Sequence, residues 1–237
     1  GSEGFVSFGS TVAVSSLGTA LSGGTRIDNS GDGSLYGASK FALSLDDLTD
    51  TYTIDSEDRA DKLGHFSDLV FWYVQQPGGG TFTVSVDGVV TNTIDASGTE
   101  SLQKVVLSSM TDTTHEVVWQ KTIAGDVVLT DYITSRPSGT TVHVVGNGGL
   151  SVASYTTNFQ GNIYEELLPD IVIIRLGVNG DGISNPATTA ASLIELKDSI
   201  LTVSPDSRFI VTGETDNTVG TNTTAEIVVF NSTVKED

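Results

Sequence analysis

The sequence predicts a β-rich chain in two parts, an antiparallel β-sandwich of the jelly-roll kind followed by a partial α/β unit with a parallel sheet. Apolar and polar residues alternate with a period of two from about residue 34 to 145, which indicates strands with one buried face. Gly, Asp or Pro interrupts these segments at roughly 10-residue spacing, as in sandwiches and jelly rolls. After residue 150 the pattern changes to helices and continuous apolar strands.

Three segments follow from these patterns. Residues 1–30, rich in Ser, Gly and Thr, predict an extended arm with one or two short strands. Residues 31–145 predict a jelly-roll sandwich like those of carbohydrate-binding domains, and residues 146–237 the partial α/β unit.

The clearest elements of the sandwich are a hairpin and a central strand. In TFTVSVDGVVTNTI (81–94), Phe82, Val84 and Val86 alternate with polar residues before an Asp-Gly turn, which predicts a hairpin. LVFWYV (69–74) is apolar on both faces, so we expect a strand in the middle of a sheet whose aromatic side chains form core. Further strands are predicted in LQKVVLSS, THEVVWQK, DVVLTDYI and TTVHVVG.

The second part predicts a βαβ unit. YEELLPDIVIIRLGVN (164–179) indicates a short helix, a proline stop and a buried strand. Residues 185–205 carry Leu193, Leu196, Ile200 and Leu201 at helical spacing, and RFIVTGE (208–214) is a second buried strand. In such parallel sheets, sites lie at the carboxyl ends of the strands.

The last residues, 221–237, place Ile227, Phe230 and Val234 on a helical stripe. Two parallel strands with one complete helix cannot cover both faces of a sheet. We therefore expect either further sequence or a partner, either a second copy of the chain or neighbouring subunits of an assembly. The opening Gly1-Ser2-Glu3, without methionine, also predicts a longer natural polypeptide.

Charge and composition exclude several classes of partner. Thirty acidic residues against 11 basic ones give a net charge of -19, so phosphate backbones and anionic membrane surfaces are repelled. We expect neither a nucleic-acid nor a membrane partner. The chain has no cysteine, which removes disulfides, thiolate metal sites and thiol nucleophiles.

Three blocks of the chain resemble the SGNH (GDSL-like) hydrolases, a flavodoxin-like family of esterases and lipases. LPDIVIIRLGVNGDG (168–182) is similar to the block in which a buried strand ends in Gly-x-Asn-Asp; Gly177 and Asn179 match, and Gly180 replaces the Asp. TVHVVGNGGLSVASY (141–155) resembles the glycine block, with Gly148 or Gly149 in that role. LKDSILTVSPDSRFIVTGE (196–214) resembles the following helix and strand. Some bacteriophage-tail and bacterial secreted members carry a similar jelly-roll insert.

The resemblance implies acyl transfer, in which a serine attacks an ester and N–H donors hold the oxyanion. Asn179 and Gly149, with Gly177 beside them, would lie on the oxyanion side. The Gly-Asp-Ser block is absent from residues 1–237; the nearest string, FGST, makes Ser10 a weak candidate nucleophile. The catalytic Asp-x-x-His expected after the last strand is absent too.

Other candidate site residues favour structural roles. Asp112 and His115 form a literal Asp-x-x-His, but it lies within the sandwich and in the wrong order, so we interpret it as structural. His65 and His143 have no second ligand at metal spacing, so no zinc site is expected. DNSGDG (28–33) resembles a calcium loop without its Glu; a surface turn is favoured, and Asp28 and Asp32 are weak calcium candidates. No other cofactor is predicted.

These observations favour a carbohydrate-directed SGNH-like esterase or deacetylase component, catalytically incomplete within these residues and acting on a glycan or acylated polysaccharide. The alternative is a non-catalytic glycan-binding or structural virion protein of a phage tail or capsid. A calcium-stabilised adhesin repeat is disfavoured because no internal repeat recurs. Either leading hypothesis predicts a virion or extracellular location.

Overall fold

The structure, a computed structural model, describes residues 5–7, 17–28, 38, 40–56, 64–138, 142, 143, 145, 150–157, 159–174 and 186–211. The chain divides into two compact units, Gly1–Asn29 with Leu35–Gly146 and Ser30–Ser34 with Asn147–Asp237. No helix among the described residues is both long and apolar enough to cross a membrane. The domain boundaries given above remain predictions.

The first unit is built from eleven described strands. They are β1 (Phe5–Ser7), β2 (Leu17–Ser22), β3 (Thr25–Asp28), β4 (Phe41–Leu45), β5 (Thr51–Ser56), β6 (Asp68–Gln75), β7 (Thr81–Val86), β8 (Val89–Asp95), β9 (Ser101–Leu107), β10 (Glu116–Ile123) and β11 (Val127–Ser135). The segment 1–30 contributes three of them, where the sequence predicted one or two.

Two antiparallel sheets result. One has the strand order β3-β4-β11-β6-β9, with β1 also paired to β11, and the other has the order β2-β5-β10-β7-β8. From β4 onward, successive strands alternate between the sheets, except that β7 and β8 follow each other in one sheet; this gives β4-β11-β6-β9 opposite β5-β10-β7-β8. This is the double Greek key of a jelly roll. The predicted antiparallel β architecture is confirmed.

The predicted hairpin and central strand are both present. β7 and β8 pair through a turn at Asp87 and Gly88, whose φ angles of 51° and 76° fit the type I′ turn that matches strand twist. Phe82 and Val84 are buried as predicted. β6 lies between β11 and β9 in its sheet, and Leu69 through Val74 are all buried, so both faces of this strand are covered.

Aromatic side chains from both sheets meet in the core. The Trp119 ring of β10 lies 5.5 Å from the Phe71 ring of β6 at an interplanar angle of 87°, and 6.2 Å from the Tyr132 ring of β11. Edge-to-face pairs of this kind add to the free energy of apolar burial. Trp119 therefore links strands of opposite sheets.

The glycines of the QQPGGG segment allow close backbone contacts at one end of the sandwich. A Cβ at Gly79 would lie 2.1 Å from the Ala96 carbonyl oxygen, and a Cβ at Gly80 would lie 2.7 Å from that of Gly125. Only glycine leaves room for the backbone–backbone bonds found there, such as Ala96 N–H to the Gly80 oxygen at 2.9 Å.

The second unit contains three described helices and two strands. They are α1 (Val152–Thr156), α2 (Gly161–Leu167), β12 (Ile171–Ile174), α3 (Pro186–Val203) and β13 (Arg208–Val211). β12 and β13 pair in parallel, and α3 connects them, with Leu193, Leu196 and Ile200 buried as the helical spacing predicted. Pro186 begins α3, where its missing N–H costs nothing. α1 and α2 pack against α3.

On one face of the parallel pair, isoleucine side chains are exposed and no described element covers them. Ile171, Ile173 and Ile210 are 58%, 65% and 49% exposed, whereas Ile174 on the alternate face is buried. Parallel sheets in α/β proteins normally have helices on both faces. We call these three isoleucines the open isoleucine face; the expectation of a further element or partner stays a prediction.

Replacing Trp119 with Ala should lower the free energy of unfolding by about 3–5 kcal/mol, because a large cavity would separate the two sheets. Ile123→Ala is the matched control on the same strand; Ile123 is 59% exposed, so we expect a change within about 0.5 kcal/mol. Urea unfolding followed by tryptophan fluorescence or circular dichroism measures both. Similar losses for the two variants would contradict the assignment of Trp119 to the core.

Candidate active-site edge and polar clusters

The carboxyl ends of β12 and β13 lie at one edge of the parallel pair, because Ile174 is the register partner of Val211. Their amino ends are tied together as well. The Ser207 hydroxyl donates to the Pro169 oxygen at 2.6 Å, and Arg208 N–H donates to the Asp170 oxygen at 2.9 Å. The strands are therefore locked in register where they begin, and their carboxyl ends, Ile174 and Val211, lie at the same edge.

The predicted oxyanion-side residues follow this edge in sequence but lie outside the described residues. Gly177 and Asn179 fall in 175–185, the connection from β12 to α3, and Gly149 falls in 146–149, shortly before α1. Ser10 also lies outside the described residues. The roles of all four residues remain predictions.

The literal Asp-x-x-His does not form a pair. Arg136 holds Asp112 with two hydrogen bonds, Nε to Oδ1 at 2.9 Å and Nη2 to Oδ2 at 2.7 Å. The His115 ring instead contacts Asp87 of the β7–β8 turn. The Asp87–His115 contact was not predicted from the sequence. The one sequence feature that pointed to it was an aspartate in a tight turn, from which a side chain can reach a neighbouring loop.

A buried lysine and aspartate were missed too. Lys40 and Asp131 are both buried, and Asp131 accepts a hydrogen bond from Ala38 N–H at 3.1 Å. Burial lowers the pKa of Lys40, and the Asp131 carboxylate partly opposes that change. The sequence feature that could have revealed this buried group is Asp131 itself, a charged residue inside the apolar segment DVVLTDYI. This segment forms β11, which is buried on both faces.

The other two histidines differ in environment. His65 is buried beside Phe66, and His143 is half-buried. Burial lowers the pKa of His143 to about 4, because the protonated ring loses its hydration. Within the described ranges no three His, Asp or Glu side chains are grouped so that they could hold a metal ion.

The acidic SLDDLTD run forms a turn that satisfies its own backbone. Asp50 Oδ2 accepts from the N–H groups of Asp46 and Asp47 at 2.7 and 2.8 Å. The Thr25 hydroxyl donates to Asp46 Oδ2 at 2.6 Å and is the main cause of that group's lowered pKa. Of the two calcium candidates, Asp28 ends β3 and Asp32 lies outside the described residues, so calcium binding stays a prediction.

Neither a protein-family model nor a curated protein matches the chain. Solved structures give distant likenesses. A family two carbohydrate esterase from Cellvibrio japonicus is 14% identical, with a TM-score of 0.33, over 93% of this chain and 85% of its own. A carbohydrate-binding module, CBM36, in complex with calcium and xylotriose is 12% identical, with a TM-score of 0.35, over 54% of this chain and 96% of its own.

A GH115 4-O-methyl-alpha-glucuronidase with specificity for decorated arabinogalactans is 17% identical, with a TM-score of 0.35, over 54% of this chain. The match spans only 18% of that enzyme, and a match to a GH87 alpha-1,3-glucanase spans 35% of that chain. These neighbours are carbohydrate-active or carbohydrate-binding proteins. At such identities and TM-scores they establish neither a shared fold nor a shared ligand.

We expect the stability of the fold to fall as the pH drops from about 6.5 toward 4, partly because of His143. Its pKa is about 4 in the folded chain and roughly 6.5 when unfolded, so in this range unfolding takes up a proton. The stabilising contribution of neutral His143 is fully present above the pKa of the unfolded chain and is lost as the pH falls toward the folded pKa. Its size is on the order of 1–3 kcal/mol. Urea unfolding at several pH values measures it.

His143→Gln should flatten this pH dependence relative to the native chain. Ile123→Ala, at an exposed position, is the control, since it keeps all three histidines and should retain the slope. Parallel slopes for the native chain and His143→Gln would contradict the burial of a neutral His143.

Proposed function

We propose that this chain is part of a carbohydrate-directed ester hydrolase of the SGNH type, a deacetylase of glycans. The observation that carries the proposal is the parallel register of β12 and β13, with Ile174 beside Val211. Asn179 follows Ile174 by five residues. The resemblance to the SGNH hydrolases requires a strand of a parallel sheet with Gly-x-Asn just after its carboxyl end, where sites of such sheets lie.

The chemistry assigned to this edge is stabilisation of an oxyanion. The Asn179 amide and the Gly149 N–H would donate to the oxygen that becomes negative when an ester carbonyl is attacked, with Gly177 allowing close approach. Such donors act only together with a nucleophile and a general base. The nucleophilic serine and catalytic histidine would come from sequence beyond residues 1–237, since Ser10 lacks the Gly-Asp-Ser context.

The polypeptide extended by its native flanking sequence should hydrolyse p-nitrophenyl acetate and acetylated glycans, whereas residues 1–237 alone should not. In the extended form, Asn179→Ala should lower kcat by roughly 100- to 1,000-fold, the effect of removing one oxyanion donor. Asn162→Ala, an exposed position in α2, is the matched control and should leave kcat unchanged. No hydrolysis by the extended form, or equal kcat in both variants, would refute the proposal.

The second candidate, a glycan-binding or structural module, is supported by the outer face of the second sheet. Register places Thr51, Gln120, Thr83 and Thr93 in one row across β5, β10, β7 and β8. The aromatic residues of these four strands, Tyr52, Phe82 and Trp119, are buried in the core. The row would therefore bind sugar hydroxyls through hydrogen bonds and without aromatic stacking.

If this module binds glycans, a glycan array probed with residues 1–237 should give specific ligands, and the double variant Thr83→Ala, Gln120→Ala should weaken binding about tenfold or more. Asn162→Ala should bind normally. Titration calorimetry with the best array ligand measures the change in Kd. An array without any specific ligand would contradict glycan binding and favour a purely structural role. Both proposed functions imply a virion or extracellular location.

A further inference from the structure

The His115 ring has an oxygen acceptor at each of its two nitrogens. Nδ1 lies 2.8 Å from Asp87 Oδ2, and Nε2 lies 2.8 Å from the carbonyl oxygen of Thr111. His115 is only 6% exposed, and the Phe66 ring lies 5.1 Å away. A carboxylate and a backbone carbonyl can only accept hydrogen bonds, so both ring nitrogens must donate for both contacts to form.

The two acceptors belong to separate connections of the sandwich. Asp87 is the first residue of the β7–β8 turn, and its second oxygen accepts from Glu116 N–H at 2.9 Å. Thr111 lies in residues 108–114, which we call the β9–β10 loop and which immediately precede His115. The backbone of His115 is fixed independently, because its N–H donates to the Ser56 hydroxyl at 2.7 Å. The ring therefore joins the turn to the loop while its own backbone is held by β5.

Asp87 is ionised throughout the neutral range. Burial raises its pKa, but the hydrogen bonds from His115 and from Glu116 N–H outweigh that effect, and the pKa lies below its usual value. A group with a lowered pKa loses its stabilising contribution only as the pH falls through that lowered value. Of the two side chains in this contact, the imidazole ring is therefore the one whose loss of a proton would leave a contact unmade.

The charged side chains on the surrounding described elements are mostly acidic. They are Asp55 near the end of β5, Asp68 at the start of β6, Asp87 in the turn, Glu116 at the start of β10, and the paired Asp112 and Arg136. His65 precedes Phe66, whose ring contacts His115. Negative charge near a ring favours its cationic form, whereas burial opposes it.

We propose that His115 is a proton-dependent pin that ties the β9–β10 loop to the β7–β8 turn when its ring is doubly protonated and releases the loop when one ring proton is lost. The neutral ring keeps its charge-assisted bond to the Asp87 carboxylate, since this is the stronger contact. Its Nε2 lone pair then faces the Thr111 oxygen, so this contact is lost and the loop opens more readily from its remaining bonds, such as Met110 N–H to the Ser67 oxygen. The pin thus holds while the ring carries both protons and opens once a rise in pH has removed one of them.

Counting ring protons by ¹H–¹⁵N NMR of the native chain tests the first step. At about pH 5.5, below the ordinary histidine range, both His115 nitrogens should carry a proton, and at about pH 9 only Nδ1 should do so. A single proton on the ring at about pH 5.5, or a lone proton on Nε2 at about pH 9, would overturn the proposal. This measurement needs no variant and so does not depend on a variant folding.

Hydrogen exchange tests the loop. Met110 N–H donates to the Ser67 oxygen at 3.0 Å and Ser109 N–H to Asp68 Oδ1 at 3.2 Å, so these amides report loop opening. Normalised to intrinsic rates, their protection should fall about tenfold or more between about pH 5.5 and about pH 9, as expected for loss of a charge-assisted bond. Equal protection at both pH values would overturn the proposal.

Two variants separate the pin from general loosening of the loop. His115→Gln should lower protection at about pH 5.5 and abolish the pH difference. Arg136→Gln removes another tether of the same loop, the ion pair with Asp112, but arginine does not titrate in this range. It should lower protection similarly at both pH values. A pH difference that persists in His115→Gln would refute the proposal.

Discussion

The whole sandwich depends on the closure of two sheets over one aromatic core. Trp119, Tyr52 and Phe82 come from one sheet, and Phe71 and Tyr132 from the other. The Tyr52 ring lies 5.9 Å from the Trp119 ring and 6.4 Å from the Tyr132 ring, so the contacts cross between the sheets repeatedly. Without a disulfide, this packing fixes the strand ends from which the turns and loops project.

The sequence predicted most where local pattern and burial agree. Phe82 and Val84 alternate with polar residues because one face of β7 packs on the core, and the Asp-Gly turn fixes the register of the hairpin. The segment 1–30 carried little signal. Its Ser, Gly and Thr residues form three strands only because β11, β5 and β4 offer edges for pairing, a long-range property that local alternation does not encode.

Polar contacts were harder to predict than the fold. Asp87 and His115 are 28 residues apart, and they meet only because the register of β10 against β7 places the end of one strand beside the start of the other. The predicted oxyanion edge has the opposite character. Its strands could be predicted because they are apolar runs in the sequence. The positions of Asn179 and Gly149 depend on connections whose conformation is not determined by local sequence pattern. The roles of these two residues therefore rest on the resemblance.

The open isoleucine face links the architecture of the second unit to its assembly. Ile173 and Ile210 are register partners, so their side chains form a continuous apolar surface together with Ile171. Burying this surface would be favourable in proportion to its apolar area, whatever element or partner covered it. A second copy would bring another charge of -19, and this repulsion opposes self-association at low ionic strength. A partner at this face, whether a second copy of the chain or a neighbouring subunit, stays a prediction.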